Sequence, residues 1–203
     1  MCVMIDVVFP RKNEKEFIEM AELLGYDGLV FVYSNKADFF QGRTDLKIHN
    51  ALLCDEKRVQ KDCLCFVKNP EDARLVFEKS GVFCVFDLEL QQKDFMHQRG
   101  SGFNHIMARL SASKGINLGF SFSSILNSPS IQQAMLMGRL KQNIKLCRKY
   151  KVKTIIASFA KSPFEMRSPH DLINFFTVLG MHPKEAKDSL NPFKKSSSIE
   201  LVE

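Results

Sequence analysis

The chain has 203 residues, of which 45% are hydrophobic and 26% charged, with a formal net charge of +6. That is material for one substantial core and a single domain, and no apolar run approaches the length that crosses a membrane. The charge is divided unevenly. Residues 1–96 carry 13 Lys and Arg against 17 Asp and Glu, a net of −4, while residues 97–203 carry 16 against 6, a net of +10.

The opening Met1-Cys2-Val3-Met4-Ile5-Asp6 has no basic lead and no small-residue cleavage site, so it does not read as a secretory signal. It starts instead the first strand, expected over Val3–Phe9. Strands then follow at Leu29–Tyr33, Leu46–Leu53, Cys63–Val67, Phe83–Phe86, Ile116–Phe120 and Thr154–Phe159. Several are apolar at almost every position, as suits a parallel sheet covered on one or both faces. The intervening patterns predict helices at Glu14–Leu24, Glu71–Lys79, Phe103–Lys114, Ser130–Lys151, Pro169–Leu179 and Pro183–Leu190. Asn69-Pro70 and Ser168-Pro169 each place a capping residue before a proline at the first helical position.

This alternation is α/β. It leaves an open doubly wound sheet or a closed barrel of about seven strands. The first strand lacks the glycine-rich turn of dinucleotide-binding sheets, which tilts the choice toward a barrel smaller than the roughly 250 residues usual for eight strands. The domain is expected to span residues 1–190, with 191–203 a flexible polar tail containing Lys194-Lys195-Ser196-Ser197-Ser198. The six cysteines lie mostly in apolar runs and read as reduced core thiols of an intracellular protein.

Arg139 to Arg167 holds nine cations (Arg139, Lys141, Lys145, Arg148, Lys149, Lys151, Lys153, Lys161, Arg167) against Glu165 alone. Leu136, Leu140, Ile144, Cys147 and Tyr150 form the core stripe of the long helix, and Lys141, Lys145 and Arg148 follow the same steps on another side. Like charges gathered without acids need an outside counter-charge, and a nucleic acid is the first candidate. A solvated basic face is the ordinary alternative.

The stretch His97-Gln98-Arg99-Gly100-Ser101-Gly102-Phe103-Asn104-His105 could present backbone N–H groups to a phosphate, with Arg99 and Arg109 beside it. Taken alone, the residues favour a plain helix-entry loop. No His-x-His or His-x-x-x-His pair and no Gly-x-Ser-x-Gly elbow is present, so neither a metal site nor a catalytic nucleophile is expected.

Four stretches, Gln98–His105, Asn117–Phe122, Gln142–Val152 and Arg167–Leu172, extended by Val178-Leu179-Gly180-Met181, together resemble the 30-kDa protein subunit of ribonuclease P, protein component 3 in archaea. The likeness is strongest over Gln98 to Leu190. It implies a TIM-like α/β barrel related to the polymerase and histidinol phosphatase superfamily but without that superfamily's metal ligands. It also implies a non-catalytic role. The RNA subunit, using Mg²⁺, would remove the 5′ leader of precursor tRNA, and this chain, paired with a smaller protein subunit as a heterodimer or heterotetramer, would stabilise the RNA. Arg99, Ser101, His105, Arg109, Lys145, Arg148, Lys149 and Arg167 fall in the family's motifs and are expected to touch RNA, with Arg139 a looser match and Lys141 added by the ridge. The implied setting is the cytoplasm, or the nucleus in a eukaryote. A barrel hydrolase acting on a phosphorylated small molecule, and a scaffold meeting an acidic protein, stay open as alternatives.

Overall fold

Seven parallel strands lie side by side in chain order: β1 (Ile5–Val8), β2 (Gly28–Tyr33), β3 (Lys47–Cys54), β4 (Leu64–Lys68), β5 (Val82–Phe86), β6 (Asn117–Ser121) and β7 (Thr154–Ala157). The structure is a computed structural model that describes residues 3–57, 59–60, 62–90, 94 and 99–193. The sheet curls until its first and last strands meet. Val8 bridges Ala160 in parallel, and the Phe9 N–H donates to the Ala160 carbonyl at 2.8 Å. The result is a nearly closed barrel, as the missing dinucleotide turn suggested.

Alternation along the strands sorts side chains into two layers. Ile5 and Val7, Val30 and Val32, Ala51, Phe66, Cys84 and Phe86, Ile155 and Ala157 fill the interior with Phe159. Gly119 leaves the space this needs: a Cβ there would lie 2.8 Å from Phe86 Cβ and 3.0 Å from Phe159 Cζ. Outward residues such as Val67, Val85, Leu118 and Ile156 pack against the surrounding helices.

Those helices are α1 (Glu14–Leu24), α2 (Ala73–Glu78), α3 (His105–Lys114), α4 (Phe122–Leu126), α5 (Ser130–Tyr150), α6 (Pro169–Val178) and α7 (Pro183–Ser189). Helix α1 begins and ends where its pattern predicts, because Gly25 takes the left-handed angle that stops it (φ +80°). Helix α6 starts as expected, with Ser168 Oγ accepting the Asp171 N–H at 3.1 Å. Helix α2 differs. Asn69 adopts φ +39°, and the cap is Asp72, which accepts the Leu75 N–H at 3.0 Å; Pro70 is therefore in a turn, not the first helical position.

Two further expectations are corrected. Cys54 and Cys65, on neighbouring strands, are joined as a disulfide, so not all six cysteines are free thiols; Cys63, Cys84 and Cys147 are free. The body of the barrel also continues past residue 190. Phe193 stacks against Phe83 (5.7 Å between centroids) and His49 (4.1 Å), packing on the interior core. Residues 194–203 of the expected tail lie outside the described residues, as do Cys2, His97 and Gln98. No helix among the described residues is long and apolar enough to cross a membrane.

Candidate nucleic-acid interface

Helix α5 buries Leu136, Leu140, Ile144 and Cys147, the stripe its spacing predicts, and turns Lys141, Lys145, Arg148 and Lys149 to the surface. Helix α3 packs beside it. Tyr150, at the end of α5, gathers cations from both: the Arg109 guanidinium carbon lies 5.8 Å from its ring centre and Lys149 Nζ 5.6 Å. Cation–π attraction at a surface is worth about 0.5–1 kcal/mol, enough to bias two long side chains toward one place. Arg99 reaches the same helix further back, its Nη1 donating to the Gly138 carbonyl at 3.2 Å. Among the described residues Lys141 and Lys145 have no hydrogen bond or ion pair, and His105 stands exposed at the start of α3. These six cations or potential cations, Arg99, His105, Arg109, Lys141, Lys145 and Lys149, belong to one pair of adjacent helices and the loop that leads into them.

Four expected contacts are placed differently. Arg139 is 4% exposed; its Nε donates to Asp94 Oδ1 at 3.0 Å and its Nη1 to the Glu89 carbonyl at 2.7 Å. Ser101 is 3% exposed, its hydroxyl donating to the Phe103 carbonyl and accepting from Gln142 Nε2. Neither can reach a phosphate without local unfolding. Arg148 is on the surface, but its Nη2 lies 2.7 Å from Glu185 of α7 and 2.7 Å from the Gly180 carbonyl. Arg167 is half-buried, donating to the Phe164 and Met166 carbonyls and lying over the Phe122 ring at 5.5 Å. The acids that quench Arg139 and Arg148 come from far along the chain, so local charge counting could not find them.

The glycine loop is a helix entry. Asn104 accepts the Ile106 and Met107 N–H groups at 2.9 and 3.1 Å, which occupies the positive end of α3. The Gly100 N–H donates to Asp94 Oδ1 at 2.8 Å. Arg139 and Gly100 together draw the Asp94 carboxyl below its usual range, the Arg139 hydrogen bond first. The loop thus already holds an anion of its own. It is also the seat of α5, because Asn143 Nδ2 donates to the Ser101 carbonyl at 3.0 Å. The two sequence stretches that stood out, Gly100–His105 and Gln142–Val152, are two sides of one packed joint.

Among the described residues, no group of three His, Cys, Asp or Glu converges as a metal site would require. Fold and face together describe an α/β barrel with a cationic outer surface that lacks carboxylate partners among the described residues. The sequence profile of the family RNase P subunit p30 matches residues 89–195, and the chain belongs to that family.

Ribonuclease P protein component 3 of Thermococcus kodakarensis is 33% identical over 99 residues, covering 49% of this chain and 45% of that protein. The Methanosarcina mazei protein of the same name is 32% identical over 97 residues, 48% of this chain and 41% of the relative. In these matches the chain spans under half of the relative's length. The Methanocaldococcus jannaschii protein aligns more fully, 26% identical over 196 residues, 87% of this chain and 83% of that protein. In three dimensions, a chain from the cryo-EM structure of archaeal Ribonuclease P with mature tRNA is similar at a TM-score of 0.75 and 22% identity. That match covers 93% of this chain and 87% of the other. Its fold is the same barrel.

Proposed function

We propose that this chain is a non-catalytic protein subunit of ribonuclease P that stabilises the catalytic RNA, the RNA itself removing the 5′ leader of precursor tRNA with Mg²⁺. One observation carries the reading beyond family membership: Lys141, Lys145, Lys149 and Arg109 share one surface and have no carboxylate partner among the described residues. A folded protein gains nothing from such a cluster, whereas phosphates brought close in a folded RNA do. Arg99 and His105 extend the surface. The buried Arg139 and Ser101 hold the joint beneath it, and Arg148 and Arg167 brace its neighbours.

The partners in this reading are the ribonuclease P RNA and a smaller protein subunit, in a heterodimer or heterotetramer, with precursor tRNA met indirectly. The setting is the cytoplasm of an archaeal-type cell. The barrel, expected over residues 1–190, acts as one domain. If about five phosphates are neutralised, log affinity falls with log salt at a slope of about −3 to −5. Sequencing the RNA that co-purifies with tagged protein tests the proposal. Enrichment of one structured RNA that cleaves precursor tRNA is expected; bulk RNA in proportion to abundance overturns it.

A further inference from the structure

The carboxyl-terminal mouth of the barrel holds a two-lobed hollow that the α3–α5 surface does not use. The larger lobe, about 580 Å³, opens beside Phe9, Tyr33 and Leu53. The smaller, about 200 Å³, lies over Asp87 and the serines of α4. Lys68 and Lys161 line both lobes and stand where they join. The larger lobe has the size usual for a small organic ligand. Phe159 closes the floor, stacked on Phe86 at 4.6 Å and 6.3 Å from Phe9.

Cations outnumber carboxylates around this hollow, with Arg11, Lys12, Lys68 and Lys161 set against Glu14, Asp38 and Asp87. Asp87 lies 3.5 Å from Lys68 Nζ and accepts the Ser124 hydroxyl at 2.7 Å. Ser121 accepts from Ser124, and Ser123 donates to the Phe159 carbonyl, so the serine wall satisfies itself. Glu14 on the far wall accepts from the Tyr33 hydroxyl at 3.3 Å. Among the described residues the Lys161 ammonium makes no hydrogen bond or close ion pair, its charge acting on Asp87 from a distance, and Arg11, Lys12 and Asp38 also line the larger lobe.

The backbone marks the same place. Among the described residues, five non-glycine residues take left-handed angles, and four of them, Lys12 (φ +64°), Asn69 (+39°), Asp87 (+62°) and Phe159 (+50°), follow the ends of β1, β4, β5 and β7. Each is a strained angle for a residue with a side chain. Strain of this kind collects where a fold fixes groups around a ligand.

We infer that this mouth binds a phosphate monoester carried on a body of mononucleotide size, the phosphate between Lys68 and Lys161 and the body along Phe9 and Tyr33. The ligand is a free nucleotide or the phosphorylated end of an RNA. The inference does not depend on the α3–α5 surface.

Isothermal titration of RNA-free protein with adenosine 5′-monophosphate, adenosine and inorganic phosphate, at about 0.15 M salt to screen loose surface binding, tests it. The monophosphate is expected to bind at one site, more tightly than adenosine or phosphate. Lys161→Gln should weaken it at least about fivefold, the loss of one charge-assisted hydrogen bond, with an unchanged melting curve, and Lys145→Gln should leave it intact. No binding of the monophosphate, equal binding of adenosine, or equal losses in the two variants overturns the assignment. Displacement by a 5′-phosphorylated trinucleotide but not its 5′-hydroxyl form identifies an RNA end as the ligand; monophosphate binding that neither displaces identifies the free nucleotide.

Discussion

Asp6 and Ser158, 152 residues apart, meet across the seam where the barrel closes. Asp6 Oδ2 accepts the Ser158 hydroxyl at 2.6 Å and Oδ1 its backbone N–H at 2.7 Å, with the Val7 N–H also on Oδ1. The carboxylate is fully buried. Burial pushes its pKa from 3.8 up to about 6, against the pull of the Ser158 and Val7 hydrogen bonds.

A pH dependence follows, with a definite sign. Between about pH 4 and 6 the folded state holds a proton that the unfolded state has released, so stability from this group falls as pH rises through that window and levels above it. The change is on the order of 3 kcal/mol. Asp6→Asn keeps an acceptor and removes the charge. Urea melts should show the variant gaining about 2–3 kcal/mol on wild type between pH 4 and 7; a difference that does not move with pH refutes the assignment.

Arg139 is predicted to act on stability and not directly on RNA. Its removal strands Asp94 and the Glu89 carbonyl, and because Asp94 keeps 27% of its side-chain exposure the loss should be about 2 kcal/mol, below the full penalty for breaking a buried pair. Denaturant midpoints of Arg139→Gln should drop while RNA affinity of the folded fraction holds within about twofold. Unchanged stability with a tenfold loss of affinity would place Arg139 at the RNA.

Much of this fold is legible in the chain because its signals are local. Gly25 ends α1 and Ser168 begins α6 whatever surrounds them, and seven apolar runs need only period and length to be recognised. Pairing across distance leaves no such trace. Arg139 and Lys141 look alike in a basic run, and only the arrival of Asp94 beside the first separates a buried brace from a surface cation. Arg148 and Glu185, 37 residues apart, are invisible for the same reason. Asn69-Pro70 has the form of a helix start, but the chain needs another turn to leave β4, and Asp72 takes the role. Cys54 and Cys65 are neighbours only because β3 and β4 pair side by side, the two cysteines lying two positions apart in register.

Gly102 is predicted to be structural. At φ +70° it lies against the Leu88 carbonyl, which an added Cβ would approach to 2.1 Å. Gly115 has a similar angle, φ +68°, with open space around it. Gly115→Ala should therefore cost about 1 kcal/mol, the strain of the angle alone, and Gly102→Ala clearly more. Equal melting temperatures for the two variants would show that the loop yields freely and does not anchor α5.

The central claim, that α3 and α5 present a phosphate-binding surface, is tested most directly by the salt dependence of RNA binding. Lys141, Lys145 and Lys149 replaced together by Ala leave every buried contact in place, so stability should change by no more than the lost Lys149–Tyr150 contact, about 0.5–1 kcal/mol. Affinity for the ribonuclease P RNA should fall at least about tenfold, and the slope of log affinity against log salt should become shallower by about 2 to 3. A triple variant with the affinity and slope of the wild type would contradict the account.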